Sequence, residues 1–349
     1  MKLSGTSPAQ HRECHGAAYI PMKKVYRIGY VGVFDDTPLL IAHSQGWLTD
    51  GHFTIELSRE LGWAAMLVKL SAGALAGANV SALYPALHSL TSSKGTHGAI
   101  EALGITSYGG LSLTVSPSIS GSLEEKKKLS SPLRIGVSPP RGDAQLFLSA
   151  WQNSVGIAAG DVVLVSLAAS QFVSALAEGY VAGIVASQPM TALAEDQAGG
   201  ITIARSHDFY PYHPRSALVA RSSFVELEPA PAELLRSALT KAADFCSSEN
   251  RWNMIWRLFN PPALETSLPD EHDAQIAERR ARLGEHTFFS RPQNFPDSFD
   301  VSTADFIRRA CLTTDPGLRD VDIRAAITHV YSGVLKLPTP KVEARPALR

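Results

Sequence analysis

Val25-Tyr-Arg-Ile-Gly-Tyr-Val-Gly-Val-Phe-Asp-Asp-Thr-Pro-Leu-Leu-Ile-Ala42 is the stretch whose grammar decides the fold. β-branched and aromatic residues dominate as far as Val33, which predicts a buried strand, and Phe34-Asp-Asp-Thr37 closes it with a polar turn. Thr37-Pro38 then reads as a helix start, a hydroxyl at the N-cap followed by proline at the first helical position. Leu39, Leu40, Ile41, Ala42 and Trp47 supply the apolar face. Strand, short polar loop and helix N-terminus in succession form the unit of an open α/β sheet. Small anions gather at the carboxyl ends of such strands, because unpaired N–H groups and the helix dipole point there.

The unit repeats outward from this stretch. Phe53–Leu57 reads as a strand, Trp63–Ala72 as a helix, Ala78–Leu83 as a short strand and Pro85–Leu90 as a helix, so a largely parallel sheet is expected. Ile100–Ile105 and Leu111–Val115 are further strands. A second set starts with Leu133-Arg-Ile-Gly-Val137, a loop ending at Asp143 and a helix over Ala144–Val155, and from Pro229 onward the text is helical and amphipathic. The expected organisation is a disordered extension at 1–24, the first part of lobe I at 25–115, and a linker or surface loop at 116–132. Lobe II follows at 133–205, and 206–349 returns to lobe I and ends in a helical tail.

Composition narrows the function classes. The 349 residues carry 32 basic and 33 acidic side chains, so no global field draws in nucleic acid or an anionic membrane. The short basic run Lys126–Lys128 follows Glu124 and Glu125 and reads as a solvated loop. Cys14, Cys246 and Cys311 are odd in number and far apart, which suggests neither a disulfide framework nor a zinc knuckle and favours a reducing compartment. No apolar run is long enough for a membrane span or an export signal. These features lead to the expectation of a cytoplasmic protein, or a periplasmic one if its true start lies elsewhere.

Gly29–Ala42, Glu56–Leu70, Gly183–Pro189 and Asp208–Pro214, in that order and spacing, resemble the nitrate- and bicarbonate-binding receptors of ABC transporters and their cytoplasmic nitrate-sensor relatives. The resemblance implies an α/β protein with the two-lobed type 2 periplasmic-binding-protein fold and a helical C-terminal extension. It places Trp63 at the family's site tryptophan and Gly110 near the glycine whose N–H faces the anion. Elsewhere the chain departs from the pattern. A histidine of the family reads as Asn79, a glutamine as Leu111, a second histidine as about Ala144, a glutamate as Gln188, and a lysine as Ser216 with Arg215 one position earlier. Arg215 can replace the missing charge, since its fork presents parallel donors to two oxygens.

Each candidate has a plainer reading beside the functional one. Asp35, Asp36 and Thr37 suit a polar ligand or a helix cap. Trp63 has small neighbours, Gly62 and Ala64, that leave its indole accessible. Tyr84 lines the same cleft or the core, and Gly109 and Gly110 suit an anion nest or a plain turn. Arg141 is the alternative anion partner, at the mirror position in the second lobe. Gln145 and Gln188 are neutral hydrogen-bonders, and His213 is a ligand or a satisfied hinge residue.

No G-x-S-x-G elbow, Walker A loop or G-x-G-x-x-G signature is present, so an enzyme is not expected, although the same fold hosts a few lyases. No cofactor and no metal is expected. The function expected is non-catalytic binding of a small anion, nitrate or nitrite, by lobe closure in a cytoplasmic nitrate-responsive sensor. The resemblance implies an antiterminator-type regulatory protein as partner; an ABC-transporter receptor for nitrate, bicarbonate or a sulfonate, with a permease as partner, is the alternative.

Overall fold

The computed structural model describes residues 23–91, 98–124, 131–138, 142–247, 254–255, 258, 287–289 and 299–337. Two mixed sheets organise them. The first contains β1 (Lys24–Tyr30), β2 (Phe53–Arg59), β3 (Gly77–Ser81), β4 (Ile100–Gly109), β10 (Pro214–Arg221) and β11 (Thr287–Phe288), in the order β11-β4-β10-β3-β1-β2. The second contains β5 (Ser112–Val115), β6 (Leu133–Val137), β7 (Val162–Ser166), β8 (Gly183–Ala186) and β9 (Ile201–Arg205), in the order β7-β6-β8-β5-β9. β1 pairs parallel with β2 and β3, as the βα repeats require. β10 runs antiparallel to both of its neighbours because it re-enters the sheet from the second lobe.

Helices cover both faces of each sheet. On one face of the first lie α1 (Thr37–Ser44) and α10 (Pro229–Cys246). On the other lie α2 (Trp63–Ser71), α3 (Tyr84–Thr91), α11 (Phe299–Thr314) and α12 (Asp320–Val330). Alternation along β10 divides the two cores: Leu218 and Ala220 join Ile28, Leu39 and Leu235, whereas Ala217 and Val219 join Met66, Leu70 and Ile307. A strand covered on both faces reads as continuously apolar, and each Leu or Ile buried in this way contributes about 2 kcal/mol. Gly29 lets α2 sit directly on β1, since a Cβ there would stand 2.8 Å from Leu75 Cδ1 and 3.1 Å from Met66 Sδ.

The second lobe adds α4 (Pro117–Glu124), α5 (Asp143–Val155), α6 (Phe172–Ala177), α7 (Met190–Ala198) and α8 (Ser206–Phe209), and α9 (Ser222–Leu227) follows β10 in the first lobe. α4 falls inside the stretch expected to be a linker or surface loop. Proline in its first turn and the Ser116 carbonyl accepting from Ile119 N–H at 3.0 Å give it a helical start that the Ser/Gly-rich composition concealed. Lys126–Lys128 and the extension up to residue 22 lie outside the described residues.

Two crossovers join the lobes, Gly109–Leu111 and Ser206–His213. They are tied to each other: Gly109 N–H donates to the His213 carbonyl at 2.8 Å, and Ser206 N–H donates to the Leu111 carbonyl at 2.8 Å. Gly109 and Gly110 adopt φ of 68° and 88°, the left-handed region that lets the chain turn sharply from β4 into β5. A pair of short connections between two rigid α/β bodies is the construction of a hinge.

Candidate ligand-binding site between the lobes

Both sheets direct the carboxyl ends of their parallel strands toward the junction of the lobes. The turn after β1 brings Asp35 and Asp36, β4 brings Thr106 and Ser107, the loop after β6 brings Gly142 and Asp143, and β8 is followed by Ser187. Arg215 stands at the start of β10, at the same end.

Arg215 is the one buried lysine or arginine among the described residues. Its Nη1 donates to Asp143 Oδ2 at 2.5 Å across the lobes, and its Nε lies 3.6 Å from Asp35 Oδ2 within lobe I. Its guanidinium sits 5.6 Å from the ring centre of Trp63, which meets Tyr84 edge-on at 6.2 Å. Burial works against the Arg215 charge, but Asp143 and Asp35 more than offset it and the pKa rises above the ordinary value. Asp35 accepts from Ser107 Oγ at 2.8 Å. Burial raises its pKa against the pull of Arg215.

Asp36 does different work. Its Oδ2 accepts from Gly32 N–H at 2.8 Å and Val33 N–H at 3.0 Å, and its Oδ1 accepts from Asn79 Nδ2 at 2.6 Å. Burial pushes its pKa up to about 6 against these donors. Asn79 is held in turn by Thr106, whose hydroxyl donates to Asn79 Oδ1 at 2.8 Å, and Thr37 Oγ1 donates to the Phe34 carbonyl at 2.6 Å. Asp36, Thr37 and Asn79 therefore spend their polar atoms on holding the β1–α1 turn, one layer behind Asp35.

Residues 21–257 match the model of the NMT1-like family. The chain belongs to the NMT1-like family. It is 26% identical over 251 residues to the nitrate import ATP-binding protein NrtC of Synechococcus elongatus, covering 69% of this chain and 38% of that protein. The chain thus spans well under half the length of that curated relative. Among solved structures it resembles the periplasmic nitrate-binding protein NrtA of Synechocystis PCC 6803, with a TM-score of 0.65, 16% identity and coverage of 88% of this chain and 89% of that one. It also resembles the ligand-binding component of an ABC-type import system from Staphylococcus aureus, with a TM-score of 0.65, 16% identity and coverage of 85% and 96%. These two likenesses fix the two-lobed fold that the sequence motifs implied.

In this NMT1-like protein Trp63, Tyr84 and Arg215 come together at the junction, with Asp35 and Asp143 around the guanidinium. Gln145 is half-buried in the first turn of α5. Gln188 turns its Oε1 to Ala192 N–H at 3.3 Å and so caps α7. His213 lies in the hinge: its Nε2 meets Ser206 Oγ at 2.8 Å, and its ring stacks on Phe306 with centres 4.5 Å apart. Burial lowers its pKa to about 4. It also lines a cleft of about 760 Å³ with Tyr210, Tyr212 and Phe306, whose walls include neither Trp63 nor Arg215. Arg141 lies outside the described residues. Ser107 and Ser187 were not singled out by sequence; their signal was a hydroxyl at the end of an apolar strand, which is common.

Proposed function

We propose that the chain is a non-catalytic binding protein that closes two lobes over a small oxyanion, in the service of an ABC-type import system. The observation that carries this reading is Arg215. It is a buried guanidinium at the carboxyl ends of the strands, roofed by Trp63, and it bridges from one lobe to a carboxylate of the other. A guanidinium offers two parallel N–H donors to a planar oxyanion, and closure lets both lobes contact what the open form contacts with one. Nitrate and nitrite are the leading ligands, in keeping with the sequence resemblance and with the nitrate named for two of the similar proteins. The importer setting is preferred to the cytoplasmic sensor with its antiterminator, because the similar proteins are named as parts of import systems.

The residues of the junction favour binding over turnover. The Ser206–His213 pair could suggest a nucleophile and its base, but both side chains are buried in the hinge, and His213 Nδ1 faces the Pro214 carbonyl at 3.5 Å rather than a carboxylate. The deciding experiment is thermal unfolding in the presence of nitrate, nitrite, bicarbonate and methanesulfonate. A ligand present at about 100 times its Kd stabilises the folded protein by about 2.7 kcal/mol and raises Tm. A rise with nitrate or nitrite is expected; no rise with any of the four overturns the oxyanion reading.

A further inference from the structure

The cation that should receive the ligand already holds an oxyanion. A carboxylate and a nitrate are both flat, with two oxygens that fit one guanidinium fork, and Asp143 presents its own at 2.5 Å from Arg215 Nη1. The two residues belong to different lobes, 72 positions apart. The contact is closed around them as well. Gly142, at φ 90°, brings the backbone so near lobe I that a Cβ would stand 2.6 Å from Leu83 Cδ2. Both side chains of the pair are about 6% exposed, so water does not compete for either charge.

We propose that Asp143 is an internal latch, whose carboxylate holds Arg215 and keeps the two lobes together, so that an incoming oxyanion must take the guanidinium from it. The latch follows from the pairing alone; its competition with ligand rests on the oxyanion reading given above. Removing the Asp143 charge leaves Arg215 buried with only the longer contact to Asp35, an arrangement the closed form tolerates poorly and the open, hydrated form tolerates well. The latch also lowers apparent affinity, because only the fraction of molecules with Arg215 released can bind.

The test is small-angle X-ray scattering and nitrate titration calorimetry on the full chain, wild type against Asp143→Asn. Asp143 Oδ1 accepts Ala144 N–H at 2.9 Å, and Asn keeps that acceptor; Asp143→Ser is the second variant, with a shorter reach and the same capping ability. The expected result is that the ligand-free variants have a larger radius of gyration than the wild type, contract on adding nitrate, and bind nitrate about tenfold or more tighter. Ligand-free variants as compact as the wild type overturn the latch. Variants that open but bind no nitrate, nitrite, bicarbonate or methanesulfonate uphold the latch and remove the oxyanion reading instead. Variants that open and bind nitrate no tighter than the wild type overturn the competition between Asp143 and ligand.

Discussion

Asn79 Nδ2 donates to Asp36 Oδ1 at 2.6 Å, so this amide from the middle of β3 is a support of the β1–α1 turn. Both side chains are about 2% exposed or less. Asn79→Ala removes a donor from a buried carboxylate and strands the Thr106 hydroxyl. A loss of about 1–3 kcal/mol in unfolding free energy is therefore expected, read from urea midpoints. Ligand affinity at a saturable fold should change less than stability does. A variant of wild-type stability would show that the network has another means of satisfying Asp36.

Trp63 is the residue whose removal should separate binding from folding. It is half-buried at the start of α2, its ring lies 5.6 Å from the Arg215 guanidinium, and its partner Tyr84 is itself only partly buried. Trp63→Ala takes away a cation–π contact of about 0.5–2 kcal/mol and one wall of the junction. The oxyanion affinity of the variant should fall by about tenfold or more, the 1.4 kcal/mol step of the affinity scale, while the circular dichroism spectrum stays that of the wild type. Unchanged affinity would move the ligand away from Arg215.

The local elements were legible because they are written locally. Val25–Ala42 carries strand, turn and helix start in consecutive residues, and β1, a turn and α1 are observed there. The details differ: β1 ends at Tyr30 rather than Val33, and Thr37 is the first residue of α1, its hydroxyl donating back to the Phe34 carbonyl instead of capping the helix. Arg215 was also singled out in the sequence, one position from where the resemblance implies a lysine, and the structure adds that it is buried. The pairing of Arg215 with Asp143 was not legible. Charge, spacing and periodicity describe each residue's own element, and nothing in them says which carboxylate of one lobe meets which cation of the other. Asp36 and Asn79 show the same limit from the opposite side. A polar residue at a strand's carboxyl end reads alike whether it faces a ligand or a neighbouring turn, and only the partner, 43 positions away, decides. Gln188 similarly offered a neutral amide that the structure spends on capping α7.

The hinge histidine gives a pH test with a definite sign. His213 has its pKa lowered by burial from 6.5 to about 4, so the folded state keeps it neutral while the unfolded state takes up a proton below 6.5. Its contribution to stability is complete above pH 6.5 and is lost as pH falls toward 4, a total of about 3 kcal/mol. Asp36 runs the other way. Raised from 3.8 to about 6, it is protonated first in the folded state, so its contribution shrinks as pH rises through that window. The two trends oppose each other in the wild-type profile. The difference between wild type and His213→Gln isolates the histidine, and it should widen by about 3 kcal/mol from pH 4 to pH 7 in urea unfolding. A difference that is flat with pH would mean that His213 is solvated or charged in the folded protein.

Tyr331 ties the C-terminal helices to the floor of the junction, and its removal should be felt at both places. The ring is fully buried just beyond α12, and its hydroxyl donates to the carbonyl of Ala82, directly before Leu83 and Tyr84. The Ala82 N–H donates in its turn to the Arg215 carbonyl at 3.1 Å, so the backbone of one residue connects the helical tail to the backbone of the buried arginine. Tyr331→Phe keeps the packing and leaves a buried carbonyl with one donor fewer, for an expected loss of about 1–2 kcal/mol. Because the lost bond supports the segment that carries Tyr84, amide hydrogen exchange should speed up at Leu83 and Tyr84 as well as at the end of α12. Faster exchange confined to α12 would show instead that the tail stabilises the lobe only through its apolar face, with no grip on the residues that line the cleft.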